Sequence, residues 1–296
     1  MDNIDCRCNS YPLTFDDTAM SHAPIANNFL GLESQYSTYE KSKVVILPAP
    51  FEASTSYQTG TADGPKAILE ASQQVEVYDI ELGTHFHTVG IHTTPSLNFS
   101  GKTAEQSCQL LYEKTKKVLS DKKWPVMLGG EHTISYGLFQ ALFEKYPNLS
   151  LFHIDAHADM REAYEGNPYS HASILYLIRK TCPRTVSIGI RSICEFDTQT
   201  QKTGFDTNDL FSHLTEDVYL TIDVDGFSPS LIPSTGTPEP GGLGWYETLD
   251  ILKKLFKKKN VVGMDFVEMM PIKNVVYGDF SVAKMIYKCI GYNYFQ

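Results

Sequence analysis

The stretch LSLFHIDAHAD, residues 149–159, joins an apolar run to an alternating series of side chains that bind metals. The run at 149–154 has the length and composition of a buried strand. In the extended chain that follows, Asp155, His157 and Asp159 lie on one side, because successive side chains of a strand alternate. A solvated strand end is the alternative, but buried carboxylates are costly unless they are paired or bound to a metal. The stretch therefore predicts a central strand that ends in metal ligands.

Two further segments have the same form. Gly129-Gly130-Glu131-His132 follows the apolar run 125–128, and Asp223-Val224-Asp225 follows the run 218–222. Ligands of open parallel sheets gather at the carboxyl ends of the strands, so we expect the three segments to converge. A turn or capping role for one of Asp223 and Asp225, and a structural role for His132, are the alternatives.

The converging segments predict a metal centre. The candidate ligands are His132, Asp155, His157, Asp159, Asp223 and Asp225. Oxygen donors with a minority of nitrogen donors suit two Mn²⁺-like dications, and such a pair ionises water near neutral pH. The sequence therefore indicates a metal-dependent hydrolase.

The rest of the chain alternates between apolar runs and helical periodicity. The runs lie at 44–47, 125–128, 149–154, 185–190, 218–222 and 261–266. Apolar residues at three- and four-residue spacing lie at 64–79, 103–121, 133–146, 171–180, 245–259 and 279–292. Repeated strand–helix–strand units predict a largely parallel sheet covered on both faces, which is a three-layer α/β/α fold. We expect a single catalytic domain over 41–296, preceded by a polar N-terminal arm over 1–40.

The composition argues against several classes of protein. Of the 296 residues, 42% are hydrophobic and 20% are charged, which is close to the globular average. The net charge of −10 argues against nucleic-acid binding, which needs clustered Lys and Arg. No run approaches the roughly 18 apolar residues that span a bilayer, and no secretory pattern opens the chain, so we expect a cytoplasmic protein without a membrane partner. The scattered cysteines favour free thiols, although Cys6 and Cys8 could touch a metal or belong to a mobile tail.

Three motifs resemble those of the ureohydrolase family, the arginases and agmatinases, and most of all the agmatinases. They are Gly129-Gly130-Glu131-His132, Asp155-Ala156-His157-Ala158-Asp159, and 221–225 with the trailing stretch 233–242, PSTGTPEPGG. The similarity runs from about Val44 to the C-terminus. It implies an arginase-like fold and two Mn²⁺ ions bridged by Asp155 and Asp223. His132 and Asp159 would complete one ion, and His157 and Asp225 the other.

The resemblance also implies the reaction and its participants. A guanidinium group is hydrolysed to urea and an amine, and Asp159 is placed to relay a proton. His171, in Tyr169-Ser170-His171-Ala172-Ser173, corresponds to a loop histidine that protonates the leaving amine, for which an imidazole is suited. Glu268 corresponds to a glutamate that accepts hydrogen bonds from the guanidinium. The alternatives are a helix N-terminal role for His171 and a strand-end role for Glu268.

The loop 160–169 bears on the choice of substrate. Glu162 and Glu165 suit a substrate with a cationic far end, which indicates agmatine, hydrolysed to putrescine and urea. Arg161 could pair with these glutamates or receive a carboxylate, so guanidinobutyrate and arginine stay open as substrates. A catalytically silent homologue that serves as scaffold or regulator, and an amide deacetylase, are further alternatives.

Two departures from the family pattern, Ser228 and Met269-Met270, indicate a changed ligand environment or pocket floor. Family members are trimers or hexamers, which implies a homo-oligomer. Aromatic residues of the N-terminal arm could form its contacts: Tyr11, Phe15, Phe29, Tyr36 and Tyr39.

Overall fold

The computed structural model describes residues 28–194 and 210–296. The strands in these ranges are β1 (Val44–Ala49), β2 (Tyr78–Asp79), β3 (Thr84–His85), β4 (Ile91–Thr93), β5 (Trp124–Gly129), β6 (Ser150–Ile154), β7 (Thr185–Ile188), β8 (Asp217–Asp223) and β9 (Asn260–Val267). Seven of them form one sheet in the order β4-β1-β5-β9-β8-β6-β7, and every pairing in it is parallel. The largely parallel sheet predicted from the sequence is confirmed.

Helices cover both faces of the sheet. They are α1 (Ser34–Ser37), α2 (Gly64–Ser72), α3 (Ala104–Ser120), α4 (Ser135–Lys145), α5 (Ile174–Arg179), α6 (Trp245–Lys258) and α7 (Tyr277–Phe295). Alternate residues of β1 face opposite layers. Val44 and Ile46 join a core with α2, α6 and α7, whereas Val45 and Leu47 join a core with α3, α4 and α5. The predicted three-layer α/β/α architecture is therefore correct.

Two sequence predictions differ from the structure. The helical pattern at 64–79 forms a helix only as far as Ser72, because the following residues turn and Tyr78 and Asp79 pair with β3. The edge strand β4 was not predicted, since three residues with one buried side chain carry no clear period. Neither difference moves the ends of the four central strands β5, β9, β8 and β6.

The described part of the N-terminal region packs on the domain. Phe29 is fully buried, and the Leu30 N–H donates to Ser72 Oγ at 2.8 Å. The Tyr39 hydroxyl donates to Asp121. Cys6, Cys8, Tyr11 and Phe15 lie outside the described residues, so the arm boundary at residue 40 and the trimer or hexamer stay predictions. Within the described ranges, no helix is long and apolar enough to cross a membrane.

Candidate metal centre

The first half of the predicted centre surrounds His132. This residue follows β5 and is fully buried. Its Nδ1 atom lies 3.1 Å from Asp159 Oδ2, 3.3 Å from Asp155 Oδ2 and 3.5 Å from Asp223 Oδ2. Two carboxylates from the segment after β6 and one from the end of β8 thus meet one imidazole nitrogen.

The second half surrounds His157. Its Nδ1 atom lies 2.9 Å from Asp225 Oδ2 and 3.6 Å from Asp155 Oδ1. Asp155 therefore directs one carboxylate oxygen to each imidazole, which is the arrangement that a carboxylate bridging two cations requires. The six predicted ligands are brought together in one cluster, as the convergence of strand ends predicted.

Like charges shape the ionisation of the cluster. Burial, reinforced by Asp225 and Asp155, raises the pKa of Asp223 well above its usual value. Burial opposes the ionisation of Asp155 as well, yet the facing imidazoles, His153 first among them, hold its pKa well below the usual range. Burial also disfavours protonated His157, but Asp155 and Asp225 outweigh it and raise the His157 pKa to about 12. Without metal, protons on the imidazoles compensate the carboxylates.

The donor atoms fit metal ions. His132 Nδ1 is a buried polar atom with no hydrogen-bond partner among the described residues, and it points at three carboxylate oxygens. Burial opposes protonation of His132, but Asp155, Asp159 and Asp223 outweigh it and raise its pKa well above the usual value, so without metal this nitrogen binds a proton. A dication at this point would take the place of that proton and of the others that the cluster holds.

Backbone contacts fix the loops that carry the ligands. Asp225 Oδ1 accepts from the Ala156 N–H at 2.9 Å, and Asp223 Oδ1 accepts from the Asp225 N–H at 2.9 Å. The Arg191 guanidinium donates to the carbonyls of Asp225 at 2.7 Å and Glu239 at 2.8 Å. Arg191 thereby ties the turn after β8 to the stretch 233–242. The sequence pattern alone did not reveal this contact.

A second row of polar residues lies behind His132. Its Nε2 atom is 3.0 Å from Thr221 Oγ1, whose hydroxyl donates to Asp265 Oδ1 at 2.8 Å. The buried Tyr219 hydroxyl donates to the other oxygen of Asp265. Because the Thr221 hydrogen is given to Asp265, Thr221 accepts from His132 Nε2–H and leaves Nδ1 free to bind a metal. These residues were missed, although Thr221 stands two positions before Asp223 on the same strand.

His153 was missed in the same way. It lies two positions before Asp155 in β6, and its Nε2 atom is 2.8 Å from Asp155 Oδ2. Its other ring nitrogen is 3.1 Å from Ser187 Oγ on β7. The period of two that marks Asp155, His157 and Asp159 extends back to this residue, so the signal was present in the sequence. His153 orients and charge-balances a ligand.

Two predicted catalytic residues have strained backbones. Asp159 has φ of 51° and Glu268 has φ of 61°, a region that few residues without glycine's freedom adopt. Glu268 Oε1 accepts from the His132 N–H at 2.6 Å, which places its carboxylate beside the ligand loop. Burial, reinforced by Glu131, raises the Glu268 pKa well above its usual value. Gly130, in the same ligand loop, lies so close to Phe51 that a Cβ there would be 2.1 Å from the Phe51 carbonyl oxygen.

A cavity of about 320 Å³ opens onto the cluster. His157, Asp159, Asp223, Asp225, Glu268 and His171 all line it. The loop 55–58 and Tyr164 also line it, and the Tyr164 ring packs edge-on against His171 with 5.1 Å between centroids. His171 is therefore placed at the cavity as predicted, with Ser54 and Ser56 as its polar neighbours.

The other predicted substrate contacts are placed differently. Glu162 and Glu165 are exposed and do not line the cavity, whereas Arg161 and Tyr164 from the same loop do. The Arg161 guanidinium lies over the Tyr164 ring at 5.5 Å. The contact of the two glutamates with substrate stays a prediction.

The two departures from the family pattern also have places in the fold. Ser228 bonds to Ser230 through its side chain and contacts none of the six ligands in the hydrogen bonds of the described residues. Met269 is fully buried and packs against Gly64 of α2. With serine at position 228, the Asp225 turn is supported by Arg191, by the Ala156 N–H and by the Thr237 hydroxyl.

A parallel α/β/α fold with a buried carboxylate–imidazole cluster at its strand ends defines a class of metal-dependent hydrolases. Within that class the chain belongs to the arginase family, whose profile matches residues 42–291, and it is a ureohydrolase. It is 38% identical over 283 residues to the N(1)-aminopropylagmatine ureohydrolase of Synechocystis sp., covering 88% of this chain and 92% of that protein. It is 35% identical over 252 residues to the agmatinase of Halalkalibacterium halodurans, covering 79% and 86%. The agmatine ureohydrolase structure of Thermoplasma volcanium superposes with a TM-score of 0.80 at 28% identity, covering 90% of this chain and 94% of that one.

Proposed function

We propose that this ureohydrolase acts on a linear guanidino amine, either agmatine or agmatine that carries an aminopropyl group. The products are urea and putrescine, or urea and the aminopropyl derivative of putrescine. The observation that carries the proposal is the shared cavity of Glu268, His171 and the ligand cluster. The relatives named above favour the same two substrates, because agmatinase and N(1)-aminopropylagmatine ureohydrolase are the names that they bear.

We assign two Mn²⁺ ions to the cluster. His132 and Asp159 would hold one ion and His157 and Asp225 the other, and Asp155 and Asp223 would serve both. Oxygen donors in the majority favour Mn²⁺ over zinc held by thiolates. When bound, the ions lower the pKa of a water molecule toward neutrality and stabilise developing negative charge.

Glu268 orients the substrate. Its carboxylate is an acceptor on the cavity wall, and a guanidinium presents a planar set of N–H donors that match a carboxylate well. The cation also offsets the burial and the nearby Glu131 that raise the Glu268 pKa. The guanidinium carbon is thereby held against the ligand cluster.

Asp159 and His171 transfer the protons of the reaction. Water adds to the guanidinium carbon, and Asp159 accepts the proton that this water releases. The bond between the guanidinium carbon and the nitrogen that bears the alkyl chain then breaks, and His171 protonates that nitrogen so that it leaves as an amine rather than an amide anion. The hydroxyl proton is lost as the urea carbonyl forms. This proton and the one on Asp159 return through solvent, where one recharges the imidazole and the other converts the product amine to its ammonium form.

The far end of the substrate decides between the candidates. The cavity wall carries Tyr57 and Tyr164, whose rings suit an alkylammonium chain, and Tyr57 is 75% exposed at the mouth. Arg161 lines the same cavity and favours a carboxylate, as in guanidinobutyrate or arginine. Its guanidinium lies over the Tyr164 ring, so we favour the two amines over the two acids as substrates.

A panel of four guanidino compounds tests the proposal. The Mn²⁺-loaded protein is assayed for urea release from agmatine, aminopropylagmatine, guanidinobutyrate and arginine. We expect the highest kcat/KM with one of the two amines. A preference for either acid, or release of acetate from acetylated amines without urea, would contradict the proposal.

A further inference from the structure

Both ring nitrogens of His171 are held by serine hydroxyls of one loop. Ser54 Oγ lies 3.1 Å from Nδ1, and Ser56 Oγ lies 2.7 Å from Nε2. The backbone N–H of His171 also donates to Ser54 Oγ, at 3.3 Å. The two serines differ in their surroundings, because Ser56 is exposed at the cavity and Ser54 is partly buried against Glu131.

Ser54 has a fixed hydrogen-bond role. Its hydroxyl donates to Glu131 Oε1 at 2.8 Å. A serine hydroxyl has one hydrogen and two lone pairs. Because the hydrogen is committed to Glu131, both contacts with His171 must be accepted by Ser54. The ring nitrogen Nδ1 is therefore the one that carries hydrogen.

Glu131 is surrounded by donors. Its Oε2 atom accepts from the N–H groups of Ala53 and Ser54, both at 2.6 Å, and Oε1 also accepts from the Thr133 hydroxyl at 2.6 Å. The residue is fully buried. With every partner donating, Glu131 acts only as an acceptor, and the direction of the Ser54 hydroxyl cannot reverse without the loss of a buried hydrogen bond.

The far end of the same loop is anchored by a second carboxylate. Glu52 accepts from the Gly60 N–H at 2.7 Å and from the Thr61 hydroxyl at 2.9 Å. The loop is thus pinned at both ends, while Thr55 to Gln58 face the cavity. Ser54 is held at a fixed position relative to His171.

We propose that Glu131 and Ser54 hold His171 as the Nδ1–H tautomer and so make Nε2, beside Ser56, the nitrogen that exchanges a proton with the leaving amine. This rests on the proposed function. Ser54 and Glu131 are positioning residues. Ser56 offers a hydroxyl that accepts from Nε2–H and donates to bare Nε2, so it tolerates both states of the ring.

A second chain of the same kind lies in the metal centre. Asp265, Thr221 and His132 repeat the sequence carboxylate, hydroxyl and imidazole, but the hydroxyl there contacts Nε2 and leaves Nδ1 free. The same arrangement, a hydroxyl that donates to a carboxylate and accepts from the ring, therefore sets the two histidines in opposite tautomers. One of them exposes Nδ1 to the ligand cluster, and the other exposes Nε2 to the cavity.

The tautomer can be read directly by ¹⁵N NMR of the ring nitrogens in protein labelled only at histidine. The chain has nine histidines, and a His171→Asn variant assigns the signals of interest. Solid-state spectra of protein loaded with diamagnetic Mg²⁺ avoid the broadening that Mn²⁺ causes. We expect a pyrrole-type Nδ1 and a pyridine-type Nε2 in the neutral ring of His171. An Nε2–H pattern in the unmutated protein would overturn the proposal.

Two variants separate positioning from general disruption. Ser54→Ala should abolish the Nδ1–H preference and lower kcat for urea release about tenfold to a hundredfold, with KM and metal content unchanged. Ser54→Thr keeps the hydroxyl and should restore both. Ser56→Ala is the matched control, because it removes the partner of Nε2 and should leave the tautomer as it is.

The failures are distinguishable. If the Ser54→Ala protein gave the same His171 ¹⁵N signals as the unmutated protein, or kept the full kcat, the positioning role would be overturned. If no member of the panel yields urea although the ring is Nδ1–H, the proposed function fails and the role in proton exchange falls with it, while the tautomer assignment stands.

Discussion

The protein buries two clusters of charge that are built on opposite principles. In one, Lys288 of α7 is only 8% exposed and lies 2.8 Å from Asp79 Oδ2 and 2.6 Å from Glu81 Oε2. In the other, Asp155, Asp223 and their neighbours have only imidazoles as ion-pair partners among the described residues. The first cluster contains a cationic side chain of its own. The second does not.

This difference separates a structural network from a functional site. A buried carboxylate can be compensated by a cationic side chain packed against it, whereas one without such a partner must be protonated or bind a cation. The Lys288 cluster therefore joins α7 to the hairpin β2–β3 without further help. The carboxylates at the strand ends are stabilised fully only with dications present.

The largest expected effect comes from Asp223→Asn. We expect this change to lower metal content and to reduce activity more than about a hundredfold, beyond the loss typical of outer-sphere partners. In the metal-free protein the same change should raise thermal stability, because it removes a carboxylate whose pKa burial, Asp225 and Asp155 raise. A gain of about 1 kcal/mol corresponds to roughly 2–4 °C in Tm. Elemental analysis and calorimetry measure both quantities.

The two readouts make the test specific. A site that needs its cation should lose function and gain metal-free stability from one substitution. If Asp223→Asn destabilised the metal-free protein, the carboxylates would already be compensated by the fold, and the contrast between the two clusters would be lost.

Lys288→Met should lower the stability of the fold and leave the metal centre as it is. It leaves Asp79, which is 2% exposed, and Glu81 without their buried cation, and removing one partner of a buried pair costs about 3–5 kcal/mol. Metal content and kcat of the folded enzyme should not change, because the cluster lies away from the cavity lining. Denaturant unfolding at pH 7 gives the free energy of unfolding.

Lys253→Ala is the matched control for that change. Lys253 pairs with the same Glu81 at 2.7 Å but is 42% exposed, so its loss should cost less than about 1 kcal/mol. Burial opposes ionisation of Glu81, but bonds from Lys253, Lys288 and Tyr292 outweigh it and lower its pKa to about 2. Since the folded pKa is depressed, the stabilisation is complete above the unfolded value of about 4.3 and disappears as pH falls toward 2. Equal losses for both lysines would show that burial is not what distinguishes them.

Metal affinity should rise with pH. Without metal, the pKa of His157 is raised to about 12 by Asp155 and Asp225 despite burial, so below that pH the ring binds a proton that a metal must displace. For each proton released, the apparent Kd falls about tenfold per pH unit. Calorimetric Mn²⁺ titration between about pH 6 and 9, in buffers of different ionisation enthalpy, counts the protons directly. Affinity that is independent of pH would show that the donors are already deprotonated.

The sequence predicted what depends on strand ends and missed what depends on side-chain partners. The strands β5, β6 and β8 are buried runs that stop at Gly129, Ile154 and Asp223, so the topology of a parallel sheet was enough to bring the ligands together. Thr221 and His153 could have been found, since each stands two positions before a ligand. Ser54 could not, because its partners Glu131 and His171 lie 77 and 117 residues away, where no local period operates.

The smallest expected effect is that of Thr221→Val, which changes the support of a ligand and leaves the ligands themselves in place. The isosteric change removes the hydroxyl that accepts from His132 Nε2–H and donates to Asp265. The ring then loses the contact that directs Nδ1 to the carboxylates, and Mn²⁺ affinity should fall about tenfold, at the lower end of the range for such partners. Thr221→Ser keeps the hydroxyl and should bind Mn²⁺ as the unmutated protein does. If Thr221→Val bound Mn²⁺ with full affinity, the orientation of His132 would come from backbone packing alone, and the chain from Asp265 would serve only to satisfy its own buried groups.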